Sequence, residues 1–456
     1  MPSSLLLLAA LAALPAGLTE RAADGRRLLA ELVAADTTNP PGNEARAVAI
    51  GARRLAAAGI PYRITEFAPG RHNLVARLRG DGSARPLLLL SHVDVVGADK
   101  QPWTTPPHRL TESGGYLQGR GVGDDLGMGV VDLELLVWLK EAHVPLRRDV
   151  ILAWTGDEES GGAGIQWQLA HAPETLDAEI ALNEGGGPVL GNGGGVTLVS
   201  LETAEKTYQD VTLRTTGRTG HASAPLGDNA IVRLARALAR VAAHPFPPRL
   251  LPVTRAYFEG RARLEHGDLA RAMRALAAAP GPLPADALAA IDRDPSLAAL
   301  LRTTCEPTLL AAGTRVNALP GAAEANLNCR LLPDQSPAEV RAALVAAIDD
   351  PGVAVELGPD DGHSGPSPLA GEAVAAIRSV AEETWPGAPV IPSLCAGADD
   401  SRFLRPRGVA AYGLAPFPLS EADDRRAHGI DERIPADSIE QGLRFFSRLV
   451  LQLAGK

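Results

Sequence analysis

Short apolar runs that end close to a histidine or a carboxylate constrain this chain more than any other feature. Leu87–Leu90 leads into His92, and Val150–Trp154 leads into the acidic pair Glu158–Glu159. Such runs are typical of buried strands, and ligands bind beyond the carboxyl ends of the strands in an open α/β sheet. Five residues of metal-ligand type lie at separated points along the chain: His92, Asp124, Glu159, Glu184 and His428.

These five side chains offer more ligands than one catalytic zinc ion uses. A catalytic zinc usually takes three protein ligands and keeps one position open. Two imidazoles and three carboxylates instead suit two zinc ions about 3.5–4 Å apart, with one carboxylate bridging them. Because nitrogen and oxygen ligands also accept Co²⁺ or Mn²⁺, the sequence favours zinc without fixing the metal. We therefore expect two metal ions per chain.

Each of these motifs also has an ordinary structural explanation. A histidine in a His-x-Asp pattern is more often a core or turn residue, although Asp94 could hold the second imidazole nitrogen of His92 or support the strand turn. Asp124 and Asp125 follow a glycine-rich turn, and Asp caps helices well. The pair Glu158–Glu159 could lie on the surface, but neighbouring side chains point in different directions, so one could bind metal while the other addresses metal-bound water. The metal hypothesis depends on the joint order and spacing of the motifs.

Composition disfavours several classes of function. The 456 residues suggest two or three domains, and the 45% hydrophobic content is enough for a sizeable core. The net charge of −10 disfavours nonspecific binding to nucleic acid or to an anionic membrane surface. Aromatic residues make up only 4% and are not interleaved with basic ones, as they would be in a platform for single-stranded nucleic acid. We expect no nucleic-acid partner.

The order of strand-like and helix-like segments predicts an interrupted domain. The two types alternate up to about residue 200, which is typical of α/β units. The pattern then changes to one that fits a small antiparallel sheet faced by two helices, and residues 245–310 show helical stretches without a clear strand. After Gly358 the α/β pattern returns. We predict a catalytic domain in two pieces, 18–204 and 359–456, around an inserted domain, 205–358.

The N-terminus resembles a secretory signal peptide over residues 1–17. Leu5–Leu14 is apolar throughout but too short to span a bilayer, and small residues follow it. Met1–Ser4 contains no lysine or arginine, so an apolar extension of the first helix is the alternative. We expect a periplasmic or secreted protein without a stable membrane anchor after processing, or a cytoplasmic one if the apolar run is not cleaved.

Three cysteines, Cys305, Cys329 and Cys395, are too few for a disulfide framework. A bridge between Cys305 and Cys329 is conceivable in an oxidising compartment. Three buried thiols are the favoured interpretation, and no paired histidine suggests a nucleophilic role for Cys395.

Taken together, the motifs resemble those of the M20 family of metallopeptidases and amidohydrolases, especially its carboxypeptidase S-like and aminoacylase-like members. The resemblance extends from about residue 28 to residue 449, and the combination is highly specific. The matching pieces are Ser-His-Val-Asp-Val-Val at 91–96, Gly-Arg-Gly-Val-Gly-Asp-Asp at 119–125, Gly-Asp-Glu-Glu-Ser-Gly-Gly at 156–162, Asn-Glu-Gly-Gly at 183–186, Thr-Gly-His-Ala-Ser at 219–223, Val-Asn-Ala-Leu-Pro-Gly at 316–321, Gly-Ala-Asp-Asp-Ser-Arg-Phe at 397–403 and His-Gly-Ile-Asp-Glu-Arg-Ile at 428–434.

The resemblance implies a fold and a set of roles. The fold would be α/β of the zinc-exopeptidase type, with a mixed, mostly parallel sheet and helices on both faces. The inserted smaller α+β domain would serve as a lid and dimerisation domain. The roles at the metal centre would be His92, Glu159, Glu184 and His428 as ligands, Asp124 as the bridge, Glu158 as general base and acid, and Asp94 as the support of His92.

Four further residues would act on the substrate by the same resemblance. His221 would stabilise the tetrahedral oxyanion, often in the partner subunit's active site, but could be a turn histidine. Asn317 and Arg330 would contact a substrate carboxylate, although Arg330 could also be a solvated strand residue. Gly397 would leave room for backbone contact with substrate. One departure is Leu126, where the family usually has lysine; since this is not a ligand position, we expect metal binding to survive.

These roles predict a di-zinc metallohydrolase that cleaves an amide bond next to a free carboxylate, as an exopeptidase of carboxypeptidase or dipeptidase type acting on small peptides. The alternative is an N-acyl-amino-acid amidohydrolase (aminoacylase), because the guanidinium of Arg330 would recognise the carboxylate of either substrate. A non-catalytic binding protein on the same fold is a remote alternative, since such a protein would be expected to have lost Glu158 or a ligand. The resemblance also implies a homodimer through the inserted domain.

Overall fold

The apolar runs form strands and the periodic segments form helices in the computed structural model, which describes residues 17–98, 102–359 and 362–456. The α-helices are α1 Leu18–Ala34, α2 Glu44–Ala57, α3 Leu126–Glu141, α4 Ala163–His171, α5 Ala230–Ala242, α6 Pro252–Arg261, α7 Gly267–Ala278, α8 Ala285–Ile291, α9 Pro295–Ala299, α10 Pro337–Ile348, α11 Glu372–Thr384, α12 Ser401–Leu404, α13 Glu421–Asp424 and α14 Ser438–Ala454. The strands are β1 Tyr62–Ala68, β2 Arg71–Leu78, β3 Leu87–His92, β4 Thr111–Ser113, β5 Tyr116–Gln118, β6 Val150–Thr155, β7 Ile180–Asn183, β8 Gly187–Leu190, β9 Val196–Glu205, β10 Thr207–Thr216, β11 Gly220–His221, β12 Thr304–Ala312, β13 Ala318–Leu319, β14 Ala322–Leu331, β15 Val353–Leu357, β16 Val390–Cys395, β17 Ala410–Gly413, β18 Leu419–Ser420 and β19 Arg433–Pro435.

The chain divides into two units. Of the described residues, the first unit comprises those up to Thr203 together with Ser367–Ser393 and Asp399–Lys456, and the second comprises those within Ala204–Pro366 and Leu394–Ala398. The sequence predicts that the catalytic domain resumes at residue 359, whereas the first unit resumes at Ser367. Two contacts hold the described residues on either side of this boundary to the second unit: the Gly358 N–H donates to the Asp210 carbonyl at 2.8 Å, and His363 Nδ1 lies 2.9 Å from Thr207 Oγ1.

The first unit is built on a ten-stranded mixed sheet. Its strand order is β1-β2-β6-β3-β7-β17-β9-β8-β18, and β16 pairs with β9. The central strands β6, β3, β7 and β17 run parallel, whereas β1 and β2 pair antiparallel on one side and β8 and β9 on the other. The mixed α/β sheet expected from the sequence is therefore confirmed. Because β6, β3 and β7 are parallel neighbours, their carboxyl ends share one edge of the sheet.

Alternation along β3 shows how the two faces of this sheet are covered. Leu87 and Leu89 pack on one face with α1, α2, α3, α11 and α14. Leu88 and Leu90 pack on the other face with α4 and α12. Burial of a leucine side chain contributes about 2 kcal/mol relative to exposure, so a strand buried on both faces must be apolar at every position. This requirement accounts for the uninterrupted leucine run.

The second unit is a small α+β domain. Antiparallel strands in the order β12-β14-β10-β15 form its four-stranded sheet. Helices α5 and α10 pack against this sheet around Val211, Leu327 and Leu344. Helix α5 begins after Asn229, whose side chain accepts the N–H groups of its first turn.

Two features of the second unit differ from the expectations. Residues 245–310 include the start of strand β12, which the sequence pattern does not reveal because most of its side chains are exposed. Cys305 and Cys329 form a disulfide rather than remaining thiols, while Cys395 is not bridged. The two bridged cysteines are register partners on β12 and β14. Their spacing along the chain does not show this, since the pairing follows from a strand the sequence does not predict.

The N-terminal prediction lies almost wholly outside the described residues, of which only Gly17 belongs to the expected signal peptide. Helix α1 starts directly after Gly17, which has a φ of 86°. Among the helices that the structure describes, none combines the length and apolarity needed to cross a membrane.

Candidate metal centre

His92 ends β3, so its imidazole lies at the carboxyl edge of the parallel strands, with 1% of the side chain exposed. Its Nδ1 is 2.9 Å from the main-chain oxygen of Asp94. Its Nε2 is 2.9 Å from Asp124 Oδ1 and 3.6 Å from Glu184 Oε2. Because a carbonyl oxygen only accepts, it keeps the ring proton on Nδ1 and leaves Nε2 available to a metal.

Of the two roles open to Asp94, the structure favours support of a turn. Its carboxylate Oδ1 is 3.6 Å from the Nδ1 of His92, beyond hydrogen-bond distance. The carboxylate instead accepts the main-chain N–H of Glu158 at 3.1 Å, that of Glu159 at 3.2 Å and the amide of Asn39 at 2.8 Å. Asp94 thus contacts His92 through its carbonyl and fixes the glutamate pair through its side chain.

Asp124 lies between the two histidines. Its Oδ1 faces His92, and its Oδ2 is 3.1 Å from the Nε2 of His428, which is also 2.9 Å from Glu159 Oε2. A carboxylate whose two oxygens face different imidazoles has the geometry needed to bridge two metal ions. His428 reaches this position from a loop with a φ of 62°, a left-handed conformation that persists only where surrounding contacts hold it.

Glu158 and Glu159 follow strand β6, and Glu184 follows strand β7; these two strands lie on either side of β3. The ligand atoms of His92, Asp124 and Glu159 lie within 4.8 Å of one another, and so do those of His92, Glu158 and Glu184. All five predicted ligands are therefore brought together. By the same distance criterion Glu158 also lies close enough to His92 and Glu184 to share a metal ion with them.

The charges of this cluster favour a bound cation. Burial raises the pKa of Glu184 to about 8, and the carboxylate of Asp124 also raises it. Burial and the neighbouring Glu184 raise the pKa of Glu158 well above its usual range. Glu159 Oε1 is buried without a hydrogen-bond partner among the described residues. Buried carboxylates in excess over imidazoles, with one oxygen unsatisfied, form a donor set that fits divalent metal ions.

Residues that support the site include several to which the sequence assigns no role. The Asn39 amide donates to Asp94 and, at 3.1 Å, to Asp157, which also accepts from Arg71 at 2.6 Å. Asp157 precedes the glutamate pair with a φ of 69°, so these contacts hold a strained turn. The sequence signal for Asn39 is the Asn-Pro-Pro-Gly turn at 39–42. Glu432 belongs to the motif at 428–434 and contacts the turn that carries Asp124.

The predicted substrate-contacting residues lie in the second unit. His221 and Asn317 are exposed neighbours where β11 pairs with β13, and the Asn317 carbonyl accepts the Ala222 N–H at 2.9 Å. Arg330 lies on β14 with its guanidinium carbon 4.8 Å from the ring centroid of Tyr208. Gly397 is partly exposed.

Leu126, which stands where the family usually has lysine, is the first residue of α3 and is 1% exposed. Its N–H donates to the Gly121 carbonyl at 2.9 Å, and its side chain fills the space beside Gly121. It is not part of the ligand cluster.

Comparison with known proteins gives matches over most of the chain. The model of peptidase family M20/M25/M40 matches residues 88–452. N-fatty-acyl-amino acid synthase/hydrolase PM20D1 of Xenopus tropicalis is 30% identical over 396 residues, which cover 84% of this chain and 75% of the relative. Probable carboxypeptidase S-like 2 of Dictyostelium discoideum is 28% identical over 390 residues, which cover 83% and 74%.

A solved structure gives the same fold. The M20 family metallo-carboxypeptidase Sso-CP2 from Sulfolobus solfataricus superposes with a TM-score of 0.72 at 19% identity, over 94% of this chain and 98% of the other. At this identity the likeness concerns the fold alone, and membership follows from the sequence match. The chain is an enzyme of peptidase family M20/M25/M40.

Proposed function

We propose that this enzyme is a di-zinc exopeptidase that cleaves an amide bond next to a free carboxylate. The observation that carries the proposal is the position of Asp124 between His92 and His428, with Glu159 and Glu184 beside them. These five residues would hold the metals, with Asp124 shared between them. Zinc is the first choice for such nitrogen and oxygen donors, and Co²⁺ or Mn²⁺ would also bind.

The bound ions would supply an acidified water and polarise the scissile carbonyl. Glu158 would take the proton from the attacking water and return it to the leaving nitrogen. Its side chain is 9% exposed, and burial raises its pKa well above the ordinary range. Such a shift favours a carboxyl group that can hold a proton near neutral pH. The Asp94 carboxylate would keep Glu158 in place through its main-chain N–H.

Arg330 would recognise the carboxylate of the substrate. Among the described residues no acidic side chain forms an ion pair with it, and its Nε donates to Asn328 Oδ1 at 3.4 Å. A guanidinium without a carboxylate partner is suited to bind one from a ligand. His221 and Asn317 would act on the reacting carbonyl and the carboxylate respectively, and Gly397 would admit the substrate backbone.

An N-acyl-amino-acid amidohydrolase is the second candidate, favoured by a specific observation. The Xenopus relative is named as an N-fatty-acyl-amino acid synthase/hydrolase, and the Dictyostelium relative as a probable carboxypeptidase. Both substrate classes end in a free carboxylate next to an amide bond, so the residues proposed above serve either reaction. The group on the acyl side of the bond distinguishes the two.

The second unit would also form a homodimer. Its edge strand β12 exposes Leu309 by 70% and Leu310 by 65%, and the first turn of α5 exposes Ile231 and Val232. Among the described residues β12 pairs on one side only, with β14, and an edge strand with exposed leucines is suited to pairing with another chain. The expected measurement is a dimeric mass in light scattering, and a charged residue at Leu309 should return the monomer.

We also propose export from the cytoplasm. The support is the Cys305–Cys329 disulfide, because such bonds persist mainly in oxidising compartments. N-terminal sequencing of protein recovered outside the cytoplasm should start near residue 18.

The experiment that tests the proposed function is hydrolysis by the zinc-loaded protein across dipeptides and N-acyl amino acids, each with a free and an amidated carboxyl end. Cleavage of the free-carboxylate set alone, lost in Glu158→Ala, is the expected result and identifies the preferred class. Cleavage of the amidated set at equal rates would remove the role of Arg330. No cleavage of any member, with two metals bound, would overturn the proposal.

A further inference from the structure

The side chain of Glu432 is 2% exposed and contacts the turn that carries Asp124. Its Oε1 accepts the main-chain N–H of Gly123 at 2.8 Å and that of Asp124 at 3.1 Å. Its Oε2 accepts the N–H of Gly121 at 2.9 Å and the Arg120 guanidinium at 2.8 Å. Four donors from one short segment therefore converge on a single side chain.

Glu432 also belongs to the segment that carries His428. Arg120, its charged partner, donates through its other terminal nitrogen to the carbonyl of Gly429 at 2.9 Å, directly after His428. The main-chain carbonyl of Glu432 accepts the Gly119 N–H at 3.1 Å. The Glu432–Arg120 pair thus joins the two segments whose side chains, Asp124 and His428, meet at 3.1 Å.

We propose that Glu432 is a positioning residue of the metal centre, which holds Asp124 and His428 in their shared geometry before any ion binds. This inference rests on the proposed metal site. A neutral amide cannot replace the carboxylate, because its NH₂ group would face donors at one of the two oxygen positions. Without the four hydrogen bonds to Glu432, the turn that carries Asp124 would lose its fixed orientation. Each metal ion would then have to order Asp124 and His428 as it binds, which costs binding free energy.

Glu432→Gln and Glu134→Gln form a matched pair of variants. Glu134 is also a fully buried carboxylate bound to an arginine, with Oε1 2.6 Å from Arg54 Nε, but its carboxylate pairs with Arg54 and Arg21 rather than with the Asp124 turn. Both substitutions remove a buried charge at constant shape. Only the first should disturb the metal site, whereas a general loss of stability should affect both.

The measurements are zinc affinity by competition with a chromophoric chelator, the visible spectrum of the cobalt-loaded protein and the Tm of the protein stripped of metal. Loss of a residue that orients ligands from outside the ligand set typically weakens metal binding about 10- to 100-fold. We expect that loss and an altered cobalt spectrum in Glu432→Gln, with neither change in Glu134→Gln. Unchanged affinity and spectrum in Glu432→Gln would overturn the inference.

If Glu432→Gln does not fold, the zinc affinity of Arg120→Lys tests the inference instead. A single ammonium group cannot contact Glu432 and Gly429 as the guanidinium fork does, so weaker zinc binding supports the inference and unchanged binding overturns it. Wild-type protein that binds no metal would overturn the metal centre itself, together with this inference. If the wild type binds metal and the variant binds it with unchanged affinity, only the proposed role of Glu432 is overturned.

Discussion

The Nε2 of His428 lies 3.1 Å from Asp124 Oδ2 and 2.9 Å from Glu159 Oε2, so one imidazole is shared by two carboxylates. These hydrogen bonds raise the pKa of His428 to about 10. At neutral pH the imidazole is therefore protonated when no metal is bound. A metal ion at this position must displace that proton.

Metal affinity should consequently increase with pH. The ligand form of histidine is neutral, so below pH 10 each zinc bound at His428 releases a proton, and the Kd should fall about tenfold per pH unit for each proton released. Chelator competition at pH 6.5, 7.5 and 8.5 measures this slope. His428→Asn should bind more weakly with a shallower slope. A Kd independent of pH in the wild type would contradict the prediction.

Glu158→Gln should abolish turnover while retaining the metals. The amide preserves the shape of the side chain but cannot take a proton from water, so kcat should fall about 10²- to 10⁴-fold. Metal content by elemental analysis, together with steady-state kinetics, tests both parts. If the variant instead loses one metal, Glu158 would be a ligand, as its distance to His92 and Glu184 also allows.

Arg330→Met should weaken the use of substrates with a free carboxylate. Loss of a charge-assisted hydrogen bond typically removes about 1.5–3 kcal/mol, which corresponds to a drop in kcat/KM of about 10- to 100-fold. Amidated substrates should be affected far less. Arg214→Met is the matched control, because Arg214 lies on the neighbouring strand β10 and pairs with Glu324 at 2.7 Å. Equal losses in the two variants would refute carboxylate recognition by Arg330.

Lys206 should make stability increase at alkaline pH. Its ammonium group is buried, and burial, together with the nearby Arg330, lowers its pKa from 10.5 to about 8. Between pH 8 and 10.5 the unfolded chain binds more protons at Lys206 than the folded chain does, so the free energy of unfolding rises with pH in this range. Below pH 8 the folded state carries the full cost of burying the charged ammonium group. Relative to Lys206→Met, the free energy of unfolding of the wild type should increase by up to about 3 kcal/mol between pH 8 and pH 10.5.

Urea unfolding at pH 7.5 and pH 10 measures this difference. Lys206 also donates to the Arg302 carbonyl at 2.7 Å, a contact that Lys206→Met removes at both pH values, so only the change between them is diagnostic. Lys140→Met, at an exposed position on α3, serves as the control and should show no such change. A difference between wild type and Lys206→Met that stays constant with pH would show that Lys206 keeps its ordinary protonation.

The sequence alone determined the positions of the metal-centre residues along the chain. A strand buried on both faces requires an apolar run such as Leu87–Leu90, and parallel neighbours bring their carboxyl ends to one edge, so His92, Glu159 and Glu184 had to lie together. These are consequences of local pattern and of sheet geometry. Asp124 and His428 are also candidates by residue type and spacing, but they follow no such run in a regular strand, and the family resemblance supplied their roles.

Only the tertiary structure decided which side chains support that centre. The edge strand β12 and its disulfide to β14 have no local signal, because exposed side chains need not alternate and a strand pairing joins distant segments. Asn39 and Glu432 are polar residues outside helices and strands, and Arg71 is the first residue of β2; at all three positions the sequence is equally compatible with solvent exposure. They became supports of the site because packing removes them from water, and a buried polar group must then find partners wherever the fold provides them.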